Sequence, residues 1–173
     1  MANFGRAELL TLLHELDRRL TAPLEITVCG GAAGILCHGL RRGTLDIDVV
    51  QSLPALPATE AARRSVAEAR GLGDGWLNDG AKGFVDYLPD GFMARRVPVG
   101  DHFARLRVFA LARVDLLVMK LMAFRPEDIV DVLAMGIGGA DIEVIRRTVD
   151  KVSRFDAKKA YAVTMFLKER SLL

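Results

Sequence analysis

The chain has few of the residues that mark zinc-binding, disulfide-bonded or membrane-spanning proteins. Two cysteines and three histidines occur among its 173 residues. Cys29 and Cys37 are spaced for neither a zinc-ligand pair nor a redox dithiol, so we expect two buried free thiols. The histidines show no zinc-site spacing either, and we expect structural roles for His14, His38 and His102. No window reaches the ~18 consecutive apolar residues of a membrane span, and the N-terminus lacks the apolar core of a signal peptide, which predicts a cytoplasmic protein with no membrane partner.

Excess charge of one sign is also missing. A net charge of +2 gives no overall field that would attract nucleic acid, so a polynucleotide partner would need a local basic patch. The basic residues of the last helices alternate with acidic ones, which is typical of a solvated face. With 51% hydrophobic and 27% charged residues, the composition is that of an ordinary globular protein. The length predicts a main domain over 1–135 and a helical C-terminal extension over 136–173 packed on it.

Hydrophobic periodicity predicts an α/β (α+β) fold, in which a small mixed β-sheet is flanked by helices and the C-terminal third is helical. Turn signals and helix caps divide these segments. The predicted strands cover 25–28, 46–50, 83–88, 95–99 and 105–110. The predicted helices cover 5–20, 30–38, 59–69, 115–124, 126–135, 141–152 and 156–170, with Asp115 as the cap of the fourth.

A glycine pair and a pair of aspartates form the most informative pattern. Gly30 and Gly31 follow a predicted strand and open a helix, where unpaired N–H groups and the helix dipole favour a phosphate. Asp46 and Asp48 fall two residues apart on the next predicted strand and so share one face. Carboxylates placed together in this way suit Mg²⁺ (or Mn²⁺) bridged to substrate phosphates. A tight turn with no ligand is the alternative for the glycines.

The loop before these aspartates carries further phosphate-binding candidates. Arg42 could hold phosphate oxygens in a bidentate fork, and Thr44 could donate its hydroxyl. A solvated basic turn is the alternative interpretation for Arg42.

The Gly-Gly, spacer and Asp-x-Asp pattern resembles the signature of the nucleotidyltransferase superfamily to which DNA polymerase β belongs, with a spacer somewhat longer than usual. Within that superfamily it is most similar to bacterial AbiEii-like proteins, and the resemblance covers residues 24–133. Their later pattern of Asp-Leu-Leu, Lys, Ala, Arg and two Asp is met by Asp115-Leu116-Leu117, Lys120, Ala123, Arg125, Asp128 and Asp131.

The resemblance implies a metal-dependent enzyme that moves a nucleoside monophosphate from an NTP to an acceptor hydroxyl. Asp46 and Asp48 would then be catalytic metal ligands, with Lys120 on the nucleotide phosphates and Asp128 as a nearby catalytic carboxylate. Polymerase-type catalysis also uses a third metal-binding carboxylate, for which Asp86 is best placed. The acceptor stays open between RNA such as tRNA, a protein and a small molecule. The AbiEii-like similarity further implies a toxin-antitoxin or phage-defence role with an antitoxin partner.

Other interpretations stay open at this point. The absence of a clear third carboxylate fits a catalytically silent binding or scaffold protein with the same fold. Lys120 lies in an apolar run and either reaches solvent or points at an anion, and Asp128 could merely pair with Arg125 on the surface. A dinucleotide-binding Rossmann motif fails, because Cys29 stands where its first glycine belongs and a ribose contact needs no paired aspartates.

Overall fold

The computed structural model of the chain describes residues 3–100 and 102–172. These residues form two compact units, the first made of Met1–Gly83 and Arg96–Leu111, the second of Phe84–Arg95 and Ala112–Leu173. The division at residue 135 stays a prediction. Within the described residues, no helix combines the length and apolar character that crossing a membrane requires.

The first unit contains a five-stranded mixed sheet and three α-helices. Its strands are β1 (Leu24–Val28), β2 (Ile47–Leu53), β3 (Leu77–Asn78), β4 (Val97–Pro98) and β5 (Leu106–Ala110), arranged in the order β3-β2-β1-β5-β4. Its helices are α1 (Arg6–Arg19), α2 (Gly30–Cys37) and α3 (Glu60–Arg70), and 3₁₀ turns at Leu56–Thr59 and Asp74–Trp76 precede and follow α3. The central strand β1 pairs antiparallel with β2 and parallel with β5. The predicted mixed sheet flanked by helices is thereby confirmed.

The pairing of β1 with β2 contains one irregularity. Thr27 lies opposite Gln51, but the next residue, Val28, lies opposite Val49, so Val50 is an extra residue in β2. Because side chains alternate between the two faces of a sheet, this bulge changes which residues of β2 face the core. Val49 is fully buried on the core side, and Asp48 is only partly buried.

The sheet buries one face and keeps polar side chains on the other. Its apolar face is formed by alternate residues of β1 and β5, against which α1 and α2 pack: Leu24, Ile26, Val28, Leu106, Val108 and Ala110. On the opposite face the Arg96 guanidinium stacks 4.4 Å from the ring centre of Phe109. Its Nη1 donates to Glu25 Oε1 at 2.9 Å and to Thr27 Oγ1 at 3.0 Å. The polar side chains on this face therefore satisfy one another through hydrogen bonds and charge pairing.

A buried carboxylate ties α1 to the start of β5. Asp17 is 7% exposed and accepts hydrogen bonds from the backbone N–H groups of Ala104, Arg105 and Leu106 at 2.9, 2.7 and 2.7 Å. Burial alone would raise the pKa of Asp17, but the three N–H donors outweigh it and hold that pKa below its ordinary value.

Asp17→Asn is expected to lower the free energy of unfolding by about 1.5–3 kcal/mol at pH 7, since the amide loses the charge and turns a donor toward N–H groups. A lowered native pKa stabilises the fold above the unfolded pKa, and this contribution is lost as pH falls through the native value. The difference from the parent should therefore shrink below about pH 4. Urea unfolding at pH 7 and at pH 3 measures it, and an equal difference at both pH values would contradict this account.

The second unit is helical. It contains α4 (Phe92–Arg95), α5 (Arg113–Ala123), α6 (Pro126–Met135), α7 (Gly139–Val152) and α8 (Ala157–Glu169). Helices α5 to α8 form its core with buried aliphatic and aromatic side chains, among them Leu117, Leu121, Val132, Ile145, Val163 and Phe166. The predicted helical C-terminal third is confirmed.

Four local predictions are wrong. Residues 83–88 form no strand, because Gly80–Tyr87 is a 3₁₀ helix, and 95–99 is divided between α4 and the short β4. Asp46 lies in a bend just before β2 instead of inside it. The N-cap of α5 is Ala112, so Asp115 is not a cap; it is fully buried and pairs with Arg95.

Candidate active site

A tight turn between β1 and α2 brings the glycine pair against β2. Cys29 is the N-cap of α2, and its backbone N–H donates to the Asp48 carbonyl at 2.9 Å. Gly30 follows with φ +58°, in the left-handed region that side-chain-bearing residues rarely adopt. The chain therefore needs glycine at this position, and the turn is anchored directly to Asp48.

Both glycines lie too close to β2 and its preceding loop to carry a side chain. A Cβ atom at Gly30 would lie 3.0 Å from Asp48 Oδ2. One at Gly31 would lie 2.8 Å from Thr44 Oγ1 and 3.6 Å from Arg42 Nη2. The Asp48 carboxylate, the Thr44 hydroxyl and the Arg42 guanidinium thus gather at the N-terminus of α2. The structure brings together these five residues, which the sequence predicted for one site with Asp46, Lys120 and Asp128, and their roles stay predictions.

Thr44 is held in place by a strand-like bridge to the N-terminal segment. Its backbone exchanges hydrogen bonds with Phe4, from Phe4 N to Thr44 O at 2.6 Å and from Thr44 N to Phe4 O at 3.0 Å. The Thr44 hydroxyl donates to the Asp46 carbonyl at 3.3 Å. These contacts fix the loop that carries Arg42, Thr44 and Asp46.

The two aspartates occupy different positions beside this turn. Asp48 is the second residue of β2, lies opposite Asn78 of β3 and is half-buried. Asp46 precedes the strand, is also half-buried and lines a groove of about 460 Å³. Within residues 3–100 and 102–172, no group of three or more His, Cys, Asp or Glu is arranged to hold a metal ion.

The remaining predicted site residues belong to the second unit. Asp86 lies on the 3₁₀ helix Gly80–Tyr87. Lys120 is 2% exposed, and its Nζ lies 3.1 Å from Asp128 Oδ1 and 2.7 Å from Asp131 Oδ2. Arg125 Nε adds a hydrogen bond of 2.7 Å to Asp128 Oδ2. Lys120 therefore does not reach solvent, and the anions that it faces are two carboxylates of α6.

The sequence did not predict a second ion pair in this unit, between the buried Asp115 and the exposed Arg95. The Asp115 carboxylate receives Arg95 Nη2 at 2.6 Å and Nε at 3.2 Å. Burial raises the pKa of Asp115, and the arginine offsets only part of that rise. An acid in the first turn of a helix is usually a cap or a dipole partner, so only the tertiary fold identifies this pairing.

The comparison with known proteins agrees with this geometry. The model of the family described as "Nucleotidyltransferase of unknown function (DUF6036)" matches residues 7–170. The chain belongs to this family. The match spans both units, and it confirms the predicted nucleotidyltransferase superfamily, while the closer similarity to AbiEii-like proteins stays a prediction. No curated protein and no solved structure matches the chain.

Proposed function

We propose that the chain transfers a nucleoside monophosphate from an NTP to an acceptor hydroxyl, in a reaction that depends on a divalent metal ion and releases pyrophosphate. One observation carries the proposal: Gly30 and Gly31 give up their side chains at the point where the Asp48 carboxylate, the Thr44 hydroxyl and the Arg42 guanidinium meet a helix N-terminus. Two glycines beside an acid, a hydroxyl and a cation, at positions where a Cβ atom would contact those groups, leave backbone N–H groups approachable by a phosphate.

The groups at the glycine turn would have different roles in binding the triphosphate. The N–H groups at the start of α2 would receive the terminal phosphates, helped by the positive end of the helix dipole. Arg42 would offer a planar fork to their oxygens, and the Thr44 hydroxyl would donate to them by turning from the Asp46 carbonyl. Because the backbone N–H groups are held by the helix before the substrate arrives, they would stabilise the charge that develops on the leaving pyrophosphate at little reorganisation cost.

Asp46 and Asp48 fit a magnesium ion. Both residues are half-buried, and their carboxylates supply the hard oxygen ligands that this ion prefers. Mg²⁺ usually takes one or two protein carboxylates and completes its shell with water and substrate phosphate, which suits a pair better than a closed protein cage. Bound there, the ion would neutralise triphosphate charge and lower the pKa of the acceptor hydroxyl.

Lys120 and Asp128 are better explained as supports of the helical unit than as groups that act on substrate. The Lys120 charge is already balanced by Asp128 and Asp131 inside that unit. We leave Asp86 without a role, since it lies on a 3₁₀ helix and not on a strand beside Asp48. The acceptor, an antitoxin partner and a defence role remain implications of the AbiEii-like similarity.

A catalytically silent scaffold is the rival, favoured by the lack of a three-carboxylate group in the described residues. Calorimetric titration with ATP, GTP, CTP and UTP, each with and without Mg²⁺ or Mn²⁺, tests the proposal, together with an assay for pyrophosphate release. We expect binding that requires the metal, and slow pyrophosphate release even with water as acceptor. Metal-dependent binding with no pyrophosphate from any NTP, including in the presence of cell extract as a source of acceptors, would favour the scaffold. Absence of NTP binding under all conditions would overturn both the transferase and a scaffold that binds nucleotide.

A further inference from the structure

A groove in the first unit opens directly beside Asp46. It has a volume of about 460 Å³ and is lined by the loop that joins α3 to β3, by Phe4 and by Leu45. This volume is within the usual range of small-molecule pockets, about 300–1,000 Å³. Asp46 is the one predicted site residue that lines it. The groove is therefore continuous with the residues assigned to the metal.

Glycines shape the far wall of this groove. Gly71, Gly73 and Gly75 all line it, and a Cβ atom at any of the three would meet no other atom within 4 Å. Gly71 has φ +62° as the left-handed cap of α3, so its glycine serves the turn. Gly73 has φ −72° and ψ 156°, which any residue can adopt. The space at Gly73 is therefore not required by the backbone.

The walls combine apolar surface with few charges. Leu45 is 55% exposed, and the Trp76 indole is fixed beside it by a hydrogen bond of 3.1 Å from Nε1 to the Arg63 carbonyl. Arg70 lines the groove, but its Nε donates to Glu15 Oε1 at 2.7 Å. That hydrogen bond and the charge of Arg70 hold the pKa of Glu15 below its ordinary value, so the pair stays ionised at neutral pH. The groove thus has no surplus of positive charge.

We propose that this groove binds the nucleoside part of the NTP, its base and ribose, next to Asp46. The assignment rests on the proposed function of the glycine turn. If the terminal phosphates lie at Gly30 and Gly31 beside Asp48 and the metal ion is shared with Asp46, the groove that Asp46 lines is the pocket next to the α-phosphate. The groove begins at the Asp46 carboxylate.

The chemistry of the walls favours a nucleoside over a polynucleotide acceptor. A nucleoside is uncharged and partly apolar, and its base edges can bond to backbone groups that the side-chain-free loop 71–75 leaves approachable. A polynucleotide would need several lysines or arginines for its phosphates. Among the described residues that line this groove, the one arginine is Arg70, which is already paired with Glu15, and the acidic Asp46 also lines it.

Gly73→Leu tests the assignment by filling the groove without straining the backbone. The probes are the four NTPs and inorganic tripolyphosphate, titrated calorimetrically into the full chain with Mg²⁺. We expect the variant to bind its preferred NTP about tenfold or more weakly and tripolyphosphate as the parent does, because a blocked pocket loses only the nucleoside contacts. Gly83→Leu is the matched control, since a Cβ there also meets nothing within 4 Å and Gly83 does not line the groove.

A second variant keeps the test sharp if Gly73→Leu does not fold. Leu45→Ala removes apolar wall from a position that is 55% exposed, so the variant should be about as stable as the parent. We expect it to weaken NTP binding several-fold and to leave tripolyphosphate binding unchanged.

Three results would overturn the assignment. The first is equal affinity of the parent for NTP and tripolyphosphate, since the nucleoside would then contribute nothing. The second is normal NTP affinity in Gly73→Leu or Leu45→Ala; if transfer to an acceptor also fell, the groove would be the acceptor site. The third is a parent that binds neither probe, which would overturn the proposed function and this assignment with it. The first two leave the proposed function standing.

Discussion

Asp46→Asn combined with Asp48→Asn is expected to abolish metal-dependent NTP binding and leave the fold intact. The amide keeps the shape of each side chain but removes both negative charges. One charge about 4 Å from an opposite charge contributes about 4 kcal/mol at an effective dielectric constant near 20. Loss of both carboxylates should therefore weaken the binding of a divalent ion by about 100-fold or more. Calorimetry with Mg²⁺ and NTP measures the effect, and circular dichroism confirms folding.

The matched control removes two charges elsewhere. Glu143→Gln with Asp150→Asn changes two exposed acids of α7 and should bind Mg²⁺-NTP as the parent does. A double Asp46/Asp48 variant that is folded and binds with parental affinity would show that these residues hold no metal. Single variants would then divide the effect between the carboxylate at the glycine turn and the one at the groove.

Lys120→Met is expected to cost about 3–5 kcal/mol of the free energy of unfolding, since it leaves buried carboxylates without their cation. From the sequence alone, a lone lysine in an apolar helix suggests the opposite, a near-isosteric change that keeps or raises stability. The structure reverses that expectation, because Asp128 and Asp131 are each 1% exposed and both contact the ammonium group. Arg125 also contacts Asp128, with its Nε 2.7 Å from Asp128 Oδ2.

Urea unfolding followed by circular dichroism measures this loss. The triple variant Lys120→Met, Asp128→Asn, Asp131→Asn is the control that separates charge from packing. Removing every charge of a buried group is often close to neutral, so the triple variant should recover much of the lost stability. A single variant as stable as the parent would mean that the buried pair contributes nothing.

The sequence predicts the glycine turn well because the evidence there is local. Gly30 and Gly31 lie at a strand-to-helix boundary, and Asp48 lies on the strand that follows that helix. Prediction from the sequence fails where the structure depends on contacts between residues that are distant in the chain. Residues 83–88 contain the aromatic and β-branched residues Phe84, Val85 and Tyr87, as a strand would, yet Gly80–Tyr87 forms 3₁₀ turns. Composition in a short apolar segment cannot distinguish these outcomes.

Charge partners show the same limit. Lys120 stands out in the sequence, but its two partners lie on the next helix, and a pattern within α5 cannot reveal them. The groove is harder still to predict, since it combines Phe4, Leu45 and the loop 71–75 from three distant stretches. Each of these residues has an ordinary explanation alone, and only their meeting creates a pocket.

The bulge at Val50 decides which face of β2 carries Asp48. With uninterrupted pairing of the same sequence, Val28 would lie opposite Val50, and Asp48 would share the core-facing side of β2 with it. The extra residue rotates the strand by half a period, so that Val49 enters the core and Asp48 faces away from it. A slip of β2 by one residue would therefore keep every functional side chain in the sequence and turn the aspartate into the hydrophobic interior. Deleting Val50 itself would remove the extra residue and leave Val49 opposite Val28, so family members that lack this residue should still hold the aspartate outside the core.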